Sequence, residues 1–243
     1  MINAGQFLIS KKQYQGSDFL SVEMEKGYFL SYHKQLSVYI KRESDILLLG
    51  IAWQTDPSKS DPVSEIEKLV ERYRDEIPQN EILSMEESWC GRYVLIVQGK
   101  VYLDACGLMG IFYSREGISS SCRVLAESMG LPEKIYEPSS QFYWMPSPLT
   151  HYEEIRRLLP SQIYHLYDGG MQGRQLTAAG ALPCSSEQER IKRFADYFTQ
   201  SLKNMEKTLP GQKILITVTG GYDSRTLLAL AEYAKIDFEC FTV

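Results

Sequence analysis

The sequence predicts an α+β protein: a long antiparallel sandwich region followed by the opening of an α/β unit. Three observations carry this. Short apolar runs separated by turn residues fill residues 6–53 and again 92–122. A single one-sided helical pattern lies between these two blocks, which is the order of an α+β layer and not of alternating βαβ units. From Ser186 onward the pattern changes to helix, strand, glycine turn, helix, strand.

The elements follow in order. Strands are expected at 7–9, 19–22, 28–32, 36–40 and 46–53, with spacers that contain Gly16, Gly27 and the Glu43-Ser44-Asp45 cluster. Asp61-Pro62 opens a helix, with Asp61 as N-cap and Pro62 at the first helical position. Val63, Ile66, Leu69, Val70, Tyr73 and Ile77 fall on one face of that helix, and Pro78 is its expected end. A second block of strands is expected at 92–97, 101–104, 111–114 and 118–122. Asp168-Gly169-Gly170 reads as a hairpin turn, and Gly173, Gly180 and Pro183 mark a boundary, so that residues 1–180 form a first domain and 185–243 begin a second. Ser186 with Glu189 fits a capping box. Ile191, Phe194, Ala195, Phe198, Leu202, Met205 and Leu209 then trace one face of a long helix that Pro210-Gly211 stops. This helix should cover one face of a sheet containing the run 214–218, and the run 238–243 begins a second, parallel strand.

Composition bounds the function. The chain has 243 residues, 44% hydrophobic and 23% charged, enough for one large core or two smaller ones. A net charge of −5 without a basic block argues against a nucleic-acid partner. No run approaches the length of a membrane span, so no membrane partner is expected. The five cysteines are odd in number and lack paired spacing, which favours free thiols and a cytoplasmic setting over a zinc site or disulfide framework. Cys90 and Cys106 lie in apolar strand contexts, where a buried, inert thiol is the expected state. His33, His151 and His165 stand in unrelated contexts and read as structural or surface residues. No catalytic residue is identified in the chain.

The chemistry-bearing stretch is Thr219-Gly220-Gly221-Tyr222-Asp223-Ser224-Arg225. Ile214, Leu215, Ile216 and Val218 precede it as a buried-type strand, and Leu227, Leu228, Ala231 and Ala234 follow at helical spacing. The turn therefore delivers the chain into a helix start, whose first N–H groups attract anions. It is neither a Walker loop, which ends in Gly-Lys-Ser/Thr, nor a dinucleotide fingerprint, which has a third glycine. Two glycines alone would indicate only a strand-to-helix turn. The residues around them point further: 219–224 resembles the pyrophosphate loop Ser-Gly-Gly-x-Asp-Ser of the ATP pyrophosphatases that include asparagine synthetases.

The resemblance extends over most of the chain. Residues 89–97, Trp-Cys-Gly-Arg-Tyr-Val-Leu-Ile-Val, look like the Gly-Asp-Phe-Ala strand of the asparagine synthetase glutaminase domain. Residues 103–113 look like its Arg-Asp-x-x-Gly-x-x-Pro-Leu-Tyr segment, 122–127 like its Ala-Ser-Glu-x-x-Ala-Leu segment, and 150–161 like its Thr-x-x-x-x-Ile-x-x-Leu-x-Pro-Gly approach to the second domain. The order and spacing of the four carry more weight than any one. Departures are Arg92 for the aspartate, Leu103 for the arginine, Ser161 for the final glycine, and Arg225 where the family has a small hydroxyl residue.

What this resemblance implies is specific. The first domain would be an αββα sandwich of the N-terminal-nucleophile hydrolase (Ntn hydrolase) type, a glutamine amidotransferase-like domain. The second would be the first part of an α/β ATP pyrophosphatase domain that continues beyond Val243. The family's nucleophile is a terminal cysteine whose free α-amine is the base, whereas this chain begins Met1-Ile2-Asn3, so glutaminase activity is expected to be absent. The remaining activity would be an ATP-dependent, AMP-forming amide ligase acting on a small-molecule or peptide carboxylate through an acyl-adenylate, with ATP and Mg²⁺ as cofactors. Thr219, Gly220, Gly221, Tyr222, Asp223 and Ser224 would hold the phosphates, Asp223 would ligate the metal, and Arg225 would either bind phosphate or face solvent. Beside this stand a non-catalytic scaffold or dimerisation module, and a fragment inactive by itself, completed by a homodimer partner or by further C-terminal chain.

Overall fold

The computed structural model describes residues 5–132, 146–174 and 186–242. It is mixed α and β. Strands β1 (Phe7–Ser10), β2 (Phe19–Glu23), β3 (Phe29–His33), β4 (Val38–Lys41) and β5 (Ile46–Gln54) stand where the five apolar runs are. After helices α1 (Pro62–Arg72) and α2 (Gln79–Glu86) come β6 (Trp89–Val97), β7 (Lys100–Leu103), β8 (Ile111–Ser114) and β9 (Gly117–Ser119). Then follow α3 (Cys122–Ser128), β10 (Arg156–Leu158), β11 (Gln162–His165) and β12 (Met171–Gly173). The chain closes with α4 (Glu187–Thr208), β13 (Ile214–Thr217), α5 (Tyr222–Ala234) and β14 (Phe238–Phe241).

Contacts divide the chain into two compact units. The first comprises residues 1–51, 73–77 and 91–176, the second residues 52–72, 78–90 and 177–243. In the first unit the strands form two six-stranded sheets, ordered β10-β8-β9-β1-β3-β2 and β12-β11-β7-β6-β5-β4. Strand β1 pairs antiparallel with β3 and β9, and the pairs β4–β5, β6–β7, β7–β11 and β11–β12 are also antiparallel. Alternation places Phe7, Ile9, Leu30, Ile111 and Ile118 of one sheet against Leu47, Leu49, Val94, Ile96 and Val101 of the other in one fully buried core. On the outer face of the first sheet, Leu8 packs with Val124, Leu125 and Ala126 of α3. Leu48, Leu95 and Tyr102, on the outer face of the second, are buried as well.

The helix after Pro62 begins as the sequence indicates, with the Ser64 amide donating to Asp61 Oδ1 at 3.1 Å. It stops at Arg72, short of the expected end at Pro78. The Gln98 carboxamide fastens the following residues outside the helix, donating to the Asp75 carbonyl at 2.7 Å and accepting the Ile77 amide at 3.1 Å. Ile77 is thereby buried without being helical. Pro78, with φ −61° and ψ 137°, caps the start of a separate helix, α2. The strand expected at 118–122 likewise ends at Ser119, because Ser121 takes the N-cap of α3 and accepts the Val124 amide at 3.3 Å.

The second unit has its own core. β13 and β14 are parallel, in the register Ile214↔Phe238 to Thr217↔Phe241. Ile216 packs with Leu202 of α4 and with Leu230, Ala231 and Ala234 of α5, while Ala195, Met205, Ile214, Val218 and Phe238 flank them. Helix α4 thus covers this sheet as expected, but only with its C-terminal half. Ile191 and Phe194, nearer the N-terminus of α4, are 61% and 52% exposed. Another side of α4 is fastened by polar contacts: Trp53 Nε1 donates to Ser201 Oγ at 2.9 Å, Tyr197 to Thr55 Oγ1 at 2.8 Å, and Asn204 to the Gln54 carbonyl at 2.7 Å. Among the described residues no helix is long and apolar enough to cross a membrane.

Candidate functional site

Strand β13 ends at Thr217 and α5 begins at Tyr222, so Val218 to Gly221 carry the chain from the carboxyl end of a parallel strand pair into a helix. That is where open α/β sheets bind ligands. Gly221 is the N-cap, extended at φ −75° and ψ 161°, and has no side chain with which to cap. The first-turn amides of Tyr222, Asp223 and Ser224 have no acceptor within the helix, as at any helix start. The seven residues singled out in the sequence, Thr219 to Arg225, form this loop and first turn, and all but the half-buried Ser224 are exposed.

The hydroxyls close the loop on itself. The Thr219 amide donates to Ser224 Oγ at 3.0 Å, and the Gly221 amide to Thr219 Oγ1 at 3.3 Å. The two hydroxyl oxygens are 3.0 Å apart, and Ser224 Oγ also lies 3.1 Å from the Thr219 carbonyl and 3.3 Å from that of Gly221. Arg225 folds back, donating from Nε to the Gly221 carbonyl at 3.2 Å, with its guanidinium 4.8 Å from the centre of the Tyr222 ring. Asp223 is the only carboxylate in the loop.

The glycines are informative because the fold does not demand them. Gly107, in the stretch 103–113, sits at φ +63°, and a Cβ there would meet the Pro160 ring at 2.9 Å. Gly220 and Gly221 lie outside the left-handed region. A Cβ on Gly220 would meet nothing within 4 Å, and one on Gly221 would stand 3.4 Å from Thr219 Oγ1. Neither backbone strain nor packing requires glycine here, so the bare backbone leaves room for a group from outside. A polyphosphate fits this donor set, since it takes N–H donors and tolerates one carboxylate when Mg²⁺ mediates. Among the described residues no three His, Cys, Asp or Glu side chains gather as a metal-ligating group. A single carboxylate is still in keeping with Mg²⁺, which is commonly held by one or two carboxylates plus phosphate oxygens.

The other stretches singled out by sequence serve the sandwich. Residues 89–97 are β6, and Arg92 is exposed on it. Leu103 points into the core at 1% exposure. Asp104 is buried and gathers three amides, those of Cys106 and Leu108 on Oδ1 at 3.1 and 3.0 Å and that of Met109 on Oδ2 at 3.2 Å. Its role is to shape the turn into β8, which the alternation of apolar residues could not reveal. Thr150 pins the approach to β10, donating to the Ile155 carbonyl at 2.8 Å.

The thiols are arranged otherwise than expected. Cys90 and Cys106 are exposed, not buried: Cys90 is on the opposite side of β6 from the buried Trp89, and Cys106 sits in the Asp104 turn. Cys122 is half-buried, and burial pushes its thiol pKa up despite a hydrogen bond with Thr150. Cys240 is exposed. Met1, Ile2 and Asn3, together with Cys184, Gly180 and Pro183, lie outside the described residues. His33 and His165 belong to strand ends, and His33 Nδ1 accepts the Gln35 amide at 3.3 Å. Compared with protein-family models and with curated proteins, the chain matches none.

Proposed function

We propose that this chain belongs to an ATP-dependent, AMP-forming amide ligase of the asparagine synthetase type that lacks glutaminase activity. In this reading the first unit is built on an Ntn hydrolase-like sandwich and residues 185–243 open an ATP pyrophosphatase domain. The observation that carries it is the loop 219–225: a strand–glycine–helix turn at the carboxyl end of a parallel pair, with glycines that nothing inside the protein requires. Its sequence and its place after the four family-like stretches agree with this.

When bound, ATP supplies the phosphoanhydride that converts a substrate carboxylate to an acyl-adenylate, with pyrophosphate as leaving group. The chain's own residues do the rest. The amides of Tyr222, Asp223 and Ser224, whose orientation the helix fixes beforehand, would donate to the negative charge that grows on the departing phosphates. Asp223, which would repel phosphate directly, is the residue that would hold Mg²⁺. Arg225, tethered to the Gly221 carbonyl, offers the guanidinium to a phosphate oxygen. In a ligase without glutaminase activity the nitrogen comes from free ammonia or from an amine already on the substrate.

The test is carboxylate-dependent ATP–pyrophosphate exchange, measured on the longest natural polypeptide that contains this sequence. Exchange above a Gly221→Asp control supports the reading; no exchange and no ATP binding by that polypeptide ends it. Glutamine hydrolysis above mock-purified controls would overturn the absence of glutaminase activity. A second reading, a non-catalytic scaffold or dimerisation module with a vestigial loop, is favoured by Leu215 and Phe241, which leave the outer face of the β13–β14 pair 58% and 44% exposed at those positions. It predicts self-association without nucleotide binding.

A further inference from the structure

We infer that the Ser224 side chain is a positioning group, the pin that shapes the phosphate loop, and that its hydroxyl does not itself contact phosphate. This inference rests on the phosphate-binding reading of the loop and departs from it at this one residue. A hydroxyl has one proton and two lone pairs. At Ser224 Oγ the neighbours already present are the Thr219 amide at 3.0 Å, the Thr219 hydroxyl at 3.0 Å, and the carbonyl oxygens of Thr219 at 3.1 Å and Gly221 at 3.3 Å. The amide occupies one lone pair, and the single proton is drawn to the carbonyls of its own loop. Phosphate oxygens only accept, so a hydroxyl whose proton is already engaged offers them nothing. Ser224 is also the one member of the loop that is partly buried, on the inner side of the turn.

Thr219 differs. Its Oγ1 accepts the Gly221 amide at 3.3 Å, and its own proton can turn either to Ser224 or outward. The two hydroxyls that the sequence treats as equivalent therefore divide the work: Thr219 keeps a donor for a ligand, while Ser224 holds Thr219 and Gly221 at the spacing that presents the first-turn amides.

The experiment is amide hydrogen exchange of the ligand-free full chain, read residue by residue at Thr219 and Gly221, together with ATP affinity. Ser224→Ala is expected to speed exchange at these amides about tenfold, the loss of one hydrogen bond's worth of protection. Ser224→Thr, which keeps the hydroxyl, is expected to restore it. Thr219→Val on top of Ser224→Ala should add little, because both remove the same knot. Unchanged exchange in Ser224→Ala combined with weaker ATP binding would overturn the inference and make Ser224 a direct contact. Fully additive effects of the two variants on exchange would overturn it as well. If the longest natural polypeptide that contains the unmodified sequence binds no ATP, the ligase reading fails while the exchange arm still decides the role of Ser224.

Discussion

At the scale of single residues, Asp45 shows how burial and hydrogen bonding compete. It adopts the left-handed conformation at φ 50°, and its Oδ2 accepts the Tyr167 hydroxyl at 2.6 Å. Burial pushes its carboxyl pKa up, and this outweighs the opposing effect of the Tyr167 bond; Glu25 nearby adds to the rise and Lys26 opposes it. Burial and the Asp45 bond in turn push the Tyr167 phenol upward. A raised carboxyl pKa means that the fold favours the protonated acid. The associated stability is fully present below the unfolded value, 3.8, and is lost as pH rises through the folded one. Asp45→Asn stays neutral and still accepts the Tyr167 hydroxyl. Its urea midpoint is expected to gain on that of the unmodified chain as pH rises from about 4 to 7; parallel curves would contradict this account.

At the scale of elements, Gln98 decides where a helix stops. Residues 63–77 have the apolar spacing of one continuous helix, and Tyr73 and Ile77 fit its buried face. The competing arrangement wins because the Gln98 carboxamide satisfies a donor and an acceptor of the 75–77 backbone at once, and because Ile77 is followed by a proline that disfavours its helical conformation. A contact between residues 21 positions apart cannot be read from local periodicity. Gln98→Ala leaves both backbone groups without that partner and is expected to cost about 1–3 kcal/mol in denaturant unfolding. It should also speed amide exchange at Ile77. A variant as stable as the parent would show that water replaces the clamp.

At the scale of the whole molecule, the two units differ in how much each strand is supported. β6 lies inside a six-stranded sheet, with Val94, Leu95 and Ile96 fully buried. In the β13–β14 pair only Ile216 is buried, and Leu215, Thr217, Glu239 and Phe241 leave the other face open. Parallel strands gain most of their stability when both faces are covered. Amide exchange at Leu215 and Ile216 is therefore expected to be at least tenfold faster than at Leu95 and Ile96 in the isolated chain. Equal protection in a monomer would refute this, and equal protection in a dimer would point to the open face as the covered one.

Much of this was legible beforehand. The alternation in 7–9, 28–32 and 46–53 and the caps at Asp61 and Ser186 are local signals, produced by side-chain period and by amides that need an acceptor within three residues. The glycine turn at 219–224 was legible for the same reason, since strand, turn and helix are adjacent in the chain. Only the tertiary structure decided matters that depend on distant partners: the break at Arg72, the exposure of Cys90 and Cys106, the burial of Asp104 under three amides, and the half of α4 that stays uncovered. The same holds within the loop. Thr219 and Ser224 are interchangeable as hydroxyl residues in the sequence, and it is the fold-back of the turn, which brings one oxygen within reach of four backbone and side-chain groups, that sets them apart.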